Sequence, residues 1–224
     1  LSCFPHVINI AVKTGLSVVT TLPPLQNGNT DDDGEYRDAL ASDLISRVRH
    51  VVNLCRASGN RREDFRNTDN GGNIIGDAPG CDDDVLLNRV VVLLRDVDTR
   101  WSSTFFMVDR FLELYPAIHQ FIQNDPKLSD DELFTSVELQ VLNDIRDFLY
   151  TFHSIQELAS AEKTPTLSIV LPLYEGLIEI LGLLKFSLPN LSHVIEISLE
   201  KLHEYIGKAR LTHIYGLAMG MLLS

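Results

Sequence analysis

Cysteine is sparse in this sequence. Three residues at positions 3, 55 and 81 are an odd number at wide spacing, which suits reduced thiols in the cytosol or nucleus rather than a disulfide framework. Basic residues are also in short supply: 19 Lys and Arg stand against 31 Asp and Glu, for a formal net charge of -12. Phosphate binding is driven by cations that release counterions, so this balance opposes a general nucleic-acid role and leaves room only for a local contact. Long apolar runs are missing too. The stretch Val7 to Val19 is interrupted by Asn9 and Lys13 and has no basic leader, unlike a signal peptide. Leu167 to Leu184 carries Pro172, Glu175 and Glu179, charges too costly in hydrocarbon for a membrane span, so the chain reads as soluble with no membrane partner. No fixed-period repeat is present.

What is there is enough apolar residue, 45%, for a buried core. The start at Leu1 and the apolar end Leu217 to Leu223 lead us to expect an interior fragment of a longer protein. Spacings of three and four predict helices over 5–19 and 42–57, over 101 to about 123, through Val137 to Leu158, over about 164–186 and over 192 to about 219. The segments 22–36 and 67–84 are rich in Gly, Asn and Asp, including the triplets Asp31 to Asp33 and Asp82 to Asp84, and read as acidic disordered loops. Val90 to Leu94 reads as a strand buried on both faces, which needs partners not evident in the chain. The expected fold is therefore mainly α: one buried strand near 90–97, then an antiparallel helical array.

Few residues carry chemistry. Cys3 and His6 stand at i and i+3, a spacing open to a metal or to a packed pair; the other Cys and His do not complete a zinc site. Asp96 and Asp98 follow the expected strand, where carboxylates can hold catalytic magnesium, but Asp98 or Thr99 serves equally as the N-cap of the helix that follows. Between 42 and 66, Arg47, Arg49, Arg56, Arg61, Arg62 and Arg66 outnumber Asp43, Glu63 and Asp64, the best local candidate for phosphate contacts or else an ordinary exposed helix face. Trp101, the only tryptophan, stands beside Arg100 at the strand-to-helix joint, as core packing or as a stacking group.

Four stretches, in order, resemble the hAT transposase family. "CFPHVINIAVK" (3–13) resembles its C-x-x-H helix and "RDVDTRWSSTFFMVDRFLELYPAI" (95–118) its R-W signature, at Thr99, Arg100, Trp101, Ser103 and Met107. "KTPTLSIVLPLYEGLIEIL" (163–181) is similar to the family's helical insertion, and "ARLTHIYGLAM" (209–219) to the approach to its C-terminal segment. The resemblance implies cut-and-paste DNA transposition by a ribonuclease-H-like core interrupted by an all-helical insertion, using three acids that hold Mg2+ or Mn2+ in the full-length family. It makes residues 1–100 a partial ribonuclease-H-like segment and 101–224 the insertion, cut before the dimerisation segment. It puts Arg100, Trp101 and Ser103 at the transposon end, with Trp101 stacked on a displaced base, and Cys3 and His6 near the active centre.

The family's three acids have no counterparts here, so no catalytic residue and no cofactor is expected in this chain. The expected function is that of a fragment of a hAT-type transposase, inactive in strand cleavage alone, with DNA as partner, possible self-association and a nuclear location. The alternative is a transposase-derived helical module that binds protein and has no DNA activity.

Overall fold

The computed structural model describes residues 4–22, 31–71, 92–97, 100–161 and 167–210. Among them are nine α-helices: α1 (Phe4–Leu16), α2 (Asp31–Ala41), α3 (Leu44–Cys55), α4 (Gly59–Gly71), α5 (Trp101–Glu113), α6 (Tyr115–Asn124), α7 (Ser136–Ala161), α8 (Leu167–Ser187) and α9 (Ser192–Arg210). The mainly helical reading holds.

The organising element is α7. Its Val141, Leu142, Ile145, Phe148, Leu149, Phe152 and Ile155 recur at three and four and are all buried, forming a stripe against which α1, α2, α5 and α8 pack. Helix α1 crosses α9 at close range. A Cβ on Gly15 would fall 2.2 Å from Ser198 Oγ and 3.1 Å from the carbonyl oxygen of Val194, so only a glycine lets these backbones approach so nearly. Ser198 Oγ, fully buried, lies 3.1 Å from the Ala11 carbonyl and 3.0 Å from that of Val194, which gives its hydroxyl an acceptor on either helix. Buried side chains from Phe4 to Ile206 form a single cluster, so the core is continuous across the boundary expected at residue 100.

Several boundaries differ from the sequence reading. Asp31–Tyr36, read as loop, opens α2; acids disfavour helix interiors but suit the positive end of the helix dipole, where these stand. Residues 67–71, also read as loop, finish α4. The apolar stripe after Trp101 is two helices, because Pro116 has no N–H to give and stands in the first turn of α6, with Leu114 as the hinge. The chain turns by 120° between α8 and α9 at Pro189, so these two helices cross rather than run side by side antiparallel. No single helix among the described residues is long and apolar enough to cross a membrane.

The strand expected near 90–97 is the main correction. Among the described residues there is no strand, and 92–97 has no regular secondary structure. Leu93 is buried, whereas Val92, Leu94 and Val97 are exposed. A strand needs a ladder, and here the backbone bonds go elsewhere: the Leu93 carbonyl accepts from Arg56 and the Val97 N–H donates to Ser103 Oγ. Cys3, Cys81, Val90, Val91, Asp98, Thr99, Thr164, Pro165 and the stretch 211–224 lie outside the described residues.

Candidate nucleic-acid interface at the start of α5

The segment 92–97 is tied to α3 and α5 through Asp96. The side chain of Asp96 is 1% exposed. Its Oδ1 lies 2.6 Å from Ser103 Oγ and 3.1 Å from Thr104 Oγ1, both donors on the first turn of α5. Its Oδ2 accepts from Arg49 of α3 at 2.5 Å. Burial by itself raises the Asp96 pKa, but the bonds from Ser103 and Arg49, the Arg49 charge and the Thr104 bond outweigh it and hold the carboxyl below the usual range. The Val97 N–H closes the turn by donating to Ser103 Oγ at 2.8 Å.

This arrangement reassigns the residues of the R-W signature. Arg100, rather than Asp98 or Thr99, is the N-cap of α5; its side chain makes no capping bond and is exposed. Ser103 is engaged within the turn instead of facing outward. Trp101 is 4% exposed and meets Phe152 of α7 edge-on, with ring centroids 6.3 Å apart and planes at 66°. Trp101 is thus buried in this packing, and the base-stacking role that the resemblance implies would require its ring to leave the core. His6 is exposed on α1, and its expected partner Cys3 lies outside the described residues.

The arginines read as possible phosphate contacts divide into two sets. Arg47 pairs with Glu138, donates to the Leu133 carbonyl at 3.2 Å and lies 4.4 Å over the Phe134 ring. Arg49 pairs with Asp96, and Arg61 pairs with Asp125 at 3.2 Å while donating to the Leu54 carbonyl. These three hold α3 and α4 to the rest of the fold. Arg56 is given to the Leu93 carbonyl, and Arg62 is exposed with one long bond, 3.4 Å, to the Ser58 carbonyl. Composition counted these five and Arg66 alike; only the fold separates the five.

Among the described residues the donors do not fit the divalent ions implied for the full-length family. Among the described residues no group of three or more His, Cys, Asp or Glu converges, and both Asp96 oxygens already accept bonds. Sequence reasoning also missed two partly buried polar anchors. Tyr36 donates to Asp144 Oδ2 at 2.7 Å, tying α2 to α7, and burial, against the opposing Tyr36 bond and with the help of Asp147, raises the Asp144 pKa. Tyr115 Oη accepts from the Phe134 N–H at 2.8 Å. A separation of 108 residues between Tyr36 and Asp144 leaves no signal in the sequence.

Comparison with known proteins gives one family and no individual relative. The model of the ZBED1 RNase-like helical domain matches residues 1–148. No curated protein and no solved structure matches the chain. The matched stretch runs from α1 into the middle of α7 and takes in the whole Asp96 turn, and on this ground the chain belongs to the ZBED1 RNase-like helical domain family, a hAT-derived family of transposase origin.

Proposed function

We propose that the chain is a DNA-docking helical part of a hAT-derived protein, touching the nucleic-acid backbone through Arg100 and cutting no strand by itself. The observation that carries this reading is the placement of Arg100. A cation at a helix N-terminus opposes the helix dipole, and an arginine that makes no capping bond there gives α5 nothing in return. A phosphate reverses both costs, since the free N–H groups of a helix start and a guanidinium each favour an anion. The Asp96 bonds tie the segment 92–97 to the first turn of α5, beside which Arg100 stands. A DNA partner brings a nuclear location with it. The engaged carboxylate of Asp96 supports a non-cleaving role.

The test is binding of duplex DNA by the whole chain as a function of salt. Arg100→Ala is expected to weaken binding several-fold and to lower the salt dependence by about one phosphate contact, a slope of ~0.9. No binding at low salt, or binding indifferent to Arg100, overturns the proposal.

A second reading, a protein-interaction module, is favoured by α8. Ile180, Leu183 and Phe186, spaced by three, are 43%, 64% and 84% exposed, an apolar row of the kind that partners cover. Indifference to DNA together with self-association abolished by Leu183→Asp supports it.

A further inference from the structure

We infer that Arg56, Arg62 and Arg95 form a second phosphate-contacting patch, fitted to the backbone of a nucleic acid and distinct from Arg100. The inference rests on the DNA-docking reading and names a further surface that serves it.

The three guanidiniums come from three elements: Arg56 from the C-terminal end of α3, Arg62 from the first turn of α4, and Arg95 from the segment 92–97. The bond from Arg56 to the Leu93 carbonyl brings α3 against that segment two residues before Arg95. Like charges should not be gathered in this way unless something neutralises them. Arg47, Arg49 and Arg61 each have a carboxylate from a distant element, whereas no ion pair joins Arg56, Arg62 or Arg95 to any acid among the described residues. The mutual repulsion registers on Arg56, whose pKa is lowered by burial first and then by the charges of Arg95 and Arg62. Its Nε–H is buried without an acceptor.

The local helix rules are broken here as well. The first turn of α4 holds no acid and carries Arg61 and Arg62 at the positive end of its dipole. In a chain of net charge -12 a cationic cluster of this kind is the exception rather than the background. Arg62 and Arg95 are both exposed, so the missing anion has open access. Three cations drawn from separate elements on an open surface suit successive phosphates of an extended polyanion better than one small anion, which favours an enclosing pocket.

The experiment measures the salt dependence of short-duplex binding for the whole chain, for Arg62→Gln/Arg95→Gln, and for Lys201→Gln/Lys208→Gln on α9, which removes the same charge elsewhere. Both substituted arginines are exposed, so far-ultraviolet circular dichroism and the thermal midpoint should match the unaltered chain. The inference expects the arginine pair to lower the slope of log K against log salt by about 2 and the lysine pair to leave it nearly unchanged. Equal effects of the two pairs, or no effect of the arginine pair on a chain that does bind, overturn the patch and leave the DNA reading standing. Displacement of the duplex by inorganic phosphate at constant ionic strength also overturns it, by showing a small-anion site. A chain that binds no duplex at all removes both.

Discussion

Asp96 and Ser103 are seven residues apart in sequence, and their side-chain oxygens lie 2.6 Å apart with the carboxylate 1% exposed. That contact ties the segment 92–97 to the first turn of α5. It uses Asp96, one of the two carboxylates that the sequence offered for a metal, as a structural acceptor.

Asp96→Asn should therefore destabilise the fold by about 1–3 kcal/mol, since it weakens charge-assisted bonds to a buried acceptor. The folded pKa of Asp96 lies below the unfolded one, so its stabilisation is complete above the unfolded value, roughly 3.9, and is lost as pH falls through the folded value. Measured from pH 7 down to pH 3, the gap between the urea midpoints of the two proteins should narrow at the acid end. A gap that is constant with pH contradicts this assignment.

Trp101 is the only tryptophan, so its emission reports one site. Native fluorescence should be blue-shifted and poorly quenched by acrylamide, and addition of duplex DNA should leave it unchanged. Trp101→Ala should cost about 3–5 kcal/mol through the cavity left beside Phe152. Quenching of emission by DNA would show that the ring leaves the core to stack on bases.

Gly15→Ala gains helix propensity of up to about 1 kcal/mol, yet its methyl would stand 2.2 Å from Ser198 Oγ. The expected net result is a loss of about 1–3 kcal/mol by overpacking, with the Val194 carbonyl leaving no easy retreat. Ser198→Ala in the same chain should recover part of it. Thermal unfolding of the single and double variants decides the matter, and additive losses count against the contact.

Asp144→Asn should preserve the acceptor for Tyr36 while removing a charge that burial disfavours. The folded pKa of Asp144 is raised, so its ionised form opposes folding above that pKa, and the penalty fades as pH falls toward the unfolded value. The variant should be at least as stable as the unaltered chain at neutral pH, with its advantage shrinking on acidification. A clear loss at pH 7 would mean that the charge itself anchors Tyr36.

The sequence by itself determined the helical elements with strong periodicity. The stripe Val141 to Ile155 could bury only one face, and the break at Pro189 was legible in "SLPN", whereas the division at Pro116 was not, since Pro172 stands inside α8 without ending it. Net charge was equally legible, as was the resemblance carried by "CFPH" and "TRWSS". Tertiary structure alone decided which polar groups are committed. Arg47, Arg49 and Arg61 look the same in sequence as Arg62, but each meets a carboxylate 47 to 91 residues away, a distance over which no local spacing carries information. The same holds for the described part of the run, Val92 to Leu94: apolar, valine-rich composition favours a strand, but a strand exists only where a ladder partner lies alongside. In residues 92–97 the bonds to Arg56 and Ser103 take the place of that ladder.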